Sequence, residues 1–236
     1  MLGTVISRHA AGQALDGEPR LPTAVLWDMD GTLVDTEPYW IETEFAIARA
    51  NGAEWTKEDA MQLVGSDLLV SGRYIKERMG LPYPPEEIVE MLLDGVVERI
   101  QAHVPWRPGA VELLAELRDR EIPCALVTMS YQRFVAPILA HLPAETFAVI
   151  VTGDQVDNGK PHPEPYETAA AALGLQPGEC LAIEDSNTGA KSAESAGCTV
   201  LVVENHVPVL PGERRVFRPT LAGLSPEDLP GLLPPR

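Results

Sequence analysis

The feature that most constrains this chain is a rhythm of short apolar runs, rich in branched residues, with one long interruption. The runs are Ala24–Trp27, Pro123–Val127, Ala148–Val151, Cys180–Ile183 and Thr199–Val203, each followed by polar or turn residues. Helical patterns lie between the later runs. Gly109–Arg120 carries Val111, Leu114 and Leu117, and Tyr131–Leu142 carries Phe134, Val135, Ile138 and Leu139. Pro163–Leu173 is rich in alanine, and Ser186–Ala196 opens on a serine suited to capping. Strands alternating with helices of this length predict an α/β fold with a doubly wound parallel sheet.

Roughly 95 residues separate Trp27 from Pro123, far more than one crossover helix needs. Four helical stretches fill the gap: Glu37–Ala50, Thr56–Leu63, Asp67–Met79 and Pro85–His103. The last has a helical stripe of Ile88, Met91, Leu92, Val96 and Ile100. Gly52, Gly80 with Pro82, and the Val104–Gly109 linker punctuate them. The economical reading is an α-helical domain inserted after the first strand. The expected division is a core of 23–36 and 106–236, a helical insertion of 37–105, and a mobile tail over 1–22. The Pro-rich segment after Pro208 is expected to wrap the surface, with one short helix near Pro226–Leu229.

The chain has 236 residues and a net charge of −17, which argues against a nucleic-acid or anionic-membrane footprint. Its length suffices to bury a core without staples. No apolar stretch approaches the roughly 18 residues a membrane span needs. The first 22 residues contain Arg8, His9, Asp16, Glu18 and Arg20 and do not form a secretory signal, so a cytoplasmic location is expected. Cys124, Cys180 and Cys198 are odd in number, lack metal-ligand spacing and read as structural thiols.

Chemistry-bearing residues gather at the ends of the strand runs. Asp28 and Asp30 follow the first run, two residues apart and ahead of Gly31, at the sheet edge where such folds place ligands. A calcium loop does not fit, because its sixth and twelfth positions would be Leu33 and Tyr39. Thr128, Met129 and Ser130 end the second run. Lys160, between Gly159 and Pro161, follows the third, and Glu184, Asp185, Ser186 and Asn187 end the fourth. His162 beside Lys160 reads as a surface loop residue. His9, His103, His141 and His206 have no spacing that suggests a metal site.

The set Asp28-Met29-Asp30-Gly31-Thr32, Thr128-Met129-Ser130, Lys160-Pro161 and Glu184-Asp185-Ser186 resembles the four motifs of the haloacid dehalogenase superfamily. The longer stretches 27–38 and 159–166 resemble its β-phosphoglucomutase-like phosphatases with a helical cap. That resemblance implies an Mg²⁺-dependent phosphatase of small phosphorylated metabolites, of the sugar or polyol phosphate class, acting as a monomer through an aspartyl-phosphate. It makes Asp28 the nucleophile and Asp30 the general acid and base. It assigns the metal to Asp28, the Asp30 carbonyl and Asp185, with Glu184 a ligand or an acceptor behind them. Thr128 with the Met129 and Ser130 amides would bind phosphate, Lys160 would balance charge, and Asn187 would contact substrate or cap its helix. Asp35, Thr36 and Glu37 would line the cleft or cap the first helix. Tyr39 and Trp40 would pack in the cap or wall the substrate. A β-phosphoglucomutase is the rival, disfavoured because Trp40 and Val64 stand where such mutases place His and Lys. A non-catalytic phosphate- or partner-binding module is the third reading, disfavoured because every essential acid is present.

Overall fold

The structure is a computed structural model that describes residues 21–64, 66 and 68–232. The tail expected over 1–22 therefore lies outside the described residues except for its last two positions. Six parallel strands form one sheet in the order β3-β2-β1-β4-β5-β6. They are β1 (Ala24–Trp27), β2 (Cys124–Val127), β3 (Val149–Val151), β4 (Cys180–Glu184), β5 (Thr199–Val202) and β6 (Arg215–Phe217). Trp27 stands level with Leu126 on one side and Ile183 on the other, so β1 is the central strand of the register. Every residue of β1, β2, β4 and β5 is buried, which is why these runs lack polar alternation. The order of connection reverses between β1 and β4, a switch point that opens a crevice beyond the carboxyl ends of the strands.

β6 escaped the sequence reading because Arg215-Val216-Phe217 is short, half-polar and at the sheet edge. The segment after Pro208 thus adds a strand rather than only wrapping the surface. The short helix near Pro226 appears as two 3-10 turns, Pro226–Asp228 and Pro230–Leu232.

In the core, α5 (Ala110–Asp119), α6 (Gln132–Leu139), α7 (Glu164–Ala172) and α8 (Asn187–Ala196) connect the strands. α8 starts where the Ser186 hydroxyl accepts from the Gly189 amide and stops at Gly197, left-handed at φ 106°. Two apolar clusters cover the two faces of the sheet. One joins Val25, Trp27 and Leu126 to Leu113 and Leu117 of α5 and Phe134 of α6. The other joins Leu26, Ala125 and Ala182 to Tyr166 and Ala169 of α7 and Ala190 and Ala193 of α8. Small side chains bring α7 and α8 close to their face. Truncating one large member such as Leu126 to Ala would cost about 2–5 kcal/mol.

The helical cap comprises α1 (Glu37–Ala50), α2 (Lys57–Met61), α3 (Leu68–Met79) and α4 (Pro85–Ala102). Thr56 and Asp59 form a reciprocal capping box that starts α2. The cap has its own cluster, with Ile47, Trp55, Ile75, Ile88 and Leu92, but α4 is shared: Leu93, Val96 and Ile100 join the core cluster. The two passages between cap and core run side by side. Asp35 N–H donates to the Pro105 carbonyl (2.8 Å) and Arg107 N–H to the Leu33 carbonyl (2.9 Å). Arg133 of α6 also pairs with Glu90 and Asp94 of α4.

All three cysteines are free and buried, and burial pushes their thiols up, Cys124 and Cys198 to about 12 and Cys180 to about 11. Among the described residues no helix is long and apolar enough to cross a membrane.

Candidate active site

The crevice at the switch point opens into a cleft of about 730 Å³, lined by both the core and the cap. Asp28 follows β1, Thr128 follows β2, Glu184 ends β4 and Asp185 comes next, so the strand ends themselves aim these groups at one point. Lys160 reaches the same point from the loop after β3. Its Nζ donates to Asp28 Oδ1 (2.7 Å), Glu184 Oε1 (2.7 Å) and the Val127 carbonyl (2.9 Å). The Tyr166 ring lies 5.1 Å from the ammonium, and its hydroxyl donates to Glu184 Oε1 at 2.7 Å. Burial alone would lower the Lys160 pKa, but Asp28 and Glu184 raise it above its ordinary value, so the side chain is a fixed cation.

Glu184 is fully buried and fully occupied. Besides Lys160 and Tyr166 it accepts from the amides of Asp185 (3.2 Å) and Ser186 (3.4 Å) and from the Ser186 hydroxyl (3.1 Å). A Cβ on Gly189 would stand 1.8 Å from Glu184 Oε1, so only glycine leaves room for this carboxylate.

Asp28 and Asp185 are in the opposite condition. Asp28 Oδ2 is buried without any hydrogen-bond partner among the described residues. Burial, then the charge of Glu184, pushes the Asp28 carboxyl up to about 7; burial, then the charge of Asp28, pushes Asp185 to about 9. Asp28, Glu184 and Asp185 each offer a carboxylate oxygen within 4.8 Å of the others. Gly31, at φ 90°, makes space for Asp185: a Cβ there would fall 1.9 Å from Asp185 Oδ2. An orphaned buried oxygen, a glycine cradle and carboxyls held far above their ordinary range fit a hard divalent cation with oxygen ligands.

Asp30 stands beside them, held by three hydroxyls from two segments: Thr36 (2.9 Å) at the start of α1, and Ser130 (2.7 Å) and Thr128 (3.4 Å) of the loop after β2. Burial raises its pKa, while these donors, Ser130 first, pull it down. The Ser130 amide, expected to face phosphate, instead donates to Thr128 Oγ1 at 3.0 Å, because the turn folds back on itself. The backbone N–H groups of Met29, Asp30 and Met129 donate to no acceptor among the described residues. Three free amides around one lysine form a nest for the oxygens of an anion.

The expected residues at the margins divide. Asp35, Thr36, Glu37 and Trp40 line the cleft. Tyr39 does not; its hydroxyl donates to the His103 carbonyl (3.1 Å) in the cap. Asn187 lines the cleft with both ends of its amide engaged, donating to the Pro208 carbonyl (2.9 Å) and accepting from the Leu210 amide (2.8 Å). The cap of its helix is Ser186, not Asn187. His162 is half-exposed outside the cleft. His206, which its spacing gave no role, lines the cleft and pairs with Asp35 at 2.8 Å. Sequence reasoning gave no role to Tyr166 or Glu44. Tyr166 lies within the quoted 159–166 stretch, and Glu44 follows Glu37 by seven residues on one helix face.

Comparison with known proteins agrees with this geometry. The family model described as haloacid dehalogenase-like hydrolase matches residues 25–203. A phosphorylated carbohydrates phosphatase of Thermotoga maritima is 33% identical over 184 residues, covering 74% of this chain and 81% of the relative. Hexitol phosphatase B of Escherichia coli K12 is 26% identical over 189 residues, 78% of this chain and 85% of the relative. Among solved structures, a putative β-phosphoglucomutase from Thermotoga maritima superposes with a TM-score of 0.72 at 28% identity, over 89% of this chain and 97% of that one.

Proposed function

The chain belongs to the haloacid dehalogenase-like hydrolases, and from that premise we propose that it is an Mg²⁺-dependent phosphatase of phosphorylated carbohydrates, working through an aspartyl-phosphate. The observation that carries the reading is the pairing of Lys160 with Asp28 Oδ1 while Asp28 Oδ2 stays unpartnered beside three free amides. In this reading residues 37–105 form the cap over a core of 23–36 and 106–236.

The phosphoryl oxygens sit on the amides of Met29, Asp30 and Met129, with the Thr128 hydroxyl and Lys160 adjacent. Asp28 attacks phosphorus in line with the alkoxide, and Asp30 gives its proton to that departing oxygen. Once the alcohol has left, Asp30 takes a proton from the water that attacks the aspartyl-phosphate, which releases inorganic phosphate and restores Asp28. Asp28, Asp185 and the Asp30 carbonyl would hold Mg²⁺, which would supply the positive charge that lets an anionic carboxylate meet a phosphate dianion. Glu184 stands behind this set and positions Lys160. Thr36, Ser130 and Thr128 hold the Asp30 carboxyl still between its two proton transfers.

Hydrolysis is favoured over mutase chemistry because, among the described residues, the cap lines the cleft with no positive charge for a second phosphate. Trp40 and Val64 line the cleft, and Lys160 is the sole lysine or arginine lining it among the described residues. The test is turnover of sorbitol 6-phosphate and of β-glucose 1-phosphate with Mg²⁺, with EDTA, and with a trace of glucose 1,6-bisphosphate. The proposal expects phosphate release that EDTA abolishes and Mg²⁺ restores. Full activity in EDTA would overturn the metal role, and glucose 6-phosphate forming faster than free phosphate would reinstate the mutase.

A further inference from the structure

On the cap wall of the cleft stands a carboxylate that the reaction above does not use. Glu44 is 4% exposed, yet it lines the cleft. Its Oε2 accepts from the Trp55 indole N–H at 3.1 Å, and Oε1 has no hydrogen-bond partner among the described residues. Among the described residues no lysine or arginine pairs with it. Glu37, Trp40 and Glu44 recur on α1 at a spacing that puts all three on one face, and all three line the cleft. A buried carboxylate without a countercharge costs folding energy unless something in the working state answers it. Burial, and beyond it the charge of Glu37, pushes this carboxyl up to about 7 despite the bond from Trp55, as expected of a group short of donors.

The neighbours restrict what can answer it. Trp40, Leu63 and Leu92 make the surrounding wall apolar, Trp40 being fixed against Phe134 with ring centroids 5.4 Å apart. Glu37 and Asp35 add negative charge to the same cleft, and Lys160 is already engaged by Asp28 and Glu184. A substrate whose far end carries a carboxylate or a second phosphate would meet repulsion from these carboxylates, against which the cleft sets only His206, already paired with Asp35. A chain or ring of C–H and O–H groups meets apolar wall for the one and a free acceptor for the other.

We propose that Glu44 is a specificity-determining residue: its free carboxylate oxygen accepts hydrogen bonds from hydroxyls distal to the phosphate, selecting uncharged polyhydroxylated phosphomonoesters over those with a second anion. The Trp55 indole holds the carboxylate in place for this task. The inference rests on the phosphatase reading and names the part of the substrate that the cap reads.

The test compares wild type with Glu44→Gln on sorbitol 6-phosphate, 2-phosphoglycolate and p-nitrophenyl phosphate. A hydrogen bond to a charged acceptor is worth enough to lower the kcat/KM ratio of sorbitol 6-phosphate to p-nitrophenyl phosphate roughly tenfold in the variant. That loss should fall mainly in KM, and discrimination against 2-phosphoglycolate should narrow, since a repulsive charge is gone. Unchanged ratios among the three substrates would overturn the role of Glu44. Should Glu44→Gln fail to fold by circular dichroism, Glu44→Asp carries the same comparison: it keeps the repulsion and shortens the reach, so only the polyol preference should drop. Absence of p-nitrophenyl phosphate turnover in the wild type would instead remove the phosphatase reading beneath the inference.

Discussion

On the core wall of the cleft most charged atoms have an answering group, whereas on the cap wall, among the described residues, two carboxylates share a single hydrogen bond. Lys160 has three acceptors, Glu184 five donors and Asp30 three hydroxyls, all within reach of the strand ends. Among the described residues Glu37 and Glu44 have only the Trp55 indole as a hydrogen-bond donor between them. The unanswered atoms on the core wall, Asp28 Oδ2 and the Asp185 carboxylate, are gathered at one point, which suits a small ion of fixed charge. Those on the cap wall face an open volume, which suits a ligand of variable shape. Under the proposed mechanism the difference teaches a division of labour: rigid, saturated groups serve the phosphoryl transfer common to every substrate, and loosely answered groups serve the part that differs.

Substitutions on the core wall should therefore be the most damaging and the least dependent on substrate. Asp28→Asn removes the proposed nucleophile and should lower kcat at least about 10³-fold for every phosphomonoester, with binding still measurable by calorimetry. Asp30→Asn should cost about 10²–10⁴-fold on a sugar phosphate, whose alkoxide needs a proton, and less in the first half-reaction of an aryl phosphate. Equal damage to phosphoenzyme formation from both would contradict its role as acid. Lys160→Met should lower kcat about 10²–10³-fold, as loss of one preorganised charge contact does, for sugar and aryl substrates alike.

The smallest effect belongs to the cap and is read in stability. The folded Glu44 carboxyl sits at about 7 against 4.5 for the free side chain, so the folded state holds the proton more tightly. Its cost to stability is absent below pH 4.5 and accrues as pH rises toward 7, reaching about 3 kcal/mol at most. Relative to wild type, Glu44→Gln should gain stability between pH 5 and pH 8 in urea denaturation, roughly in step with that titration. A difference between the two proteins that does not change with pH would contradict it.

The core was legible because its signals are local. Apolar strands followed at once by Asp28, Thr128 and Glu184 announce both the sheet and the edge where these residues meet. Lys160 stood out because it is one of four lysines and sits between glycine and proline. What escaped depends on distance across the fold. β6 forms only because Val200, Leu201 and Val202 offer an edge to Arg215-Val216-Phe217, three residues with no pattern of their own. Glu44 looks like any polar helix position until Trp55, eleven residues on, folds over it. His206 enters the cleft through its pairing with Asp35, across a separation of 171 residues. The tie of Asn187 to the loop at Pro208 and Leu210 likewise has no trace in its own neighbourhood.

The central claim, that the core wall performs a covalent phosphoryl transfer on Asp28, is tested most directly by mass spectrometry of acid-quenched protein. Wild type and Asp30→Asn are mixed with sorbitol 6-phosphate and Mg²⁺, quenched within one turnover and digested. The account predicts a phosphoryl group on the peptide bearing Asp28, more abundant in Asp30→Asn because water is activated poorly there, and absent in Asp28→Asn or with EDTA. Turnover at full rate with no phosphorylated Asp28 at any quench time, or a phosphoryl group on another residue, would contradict it.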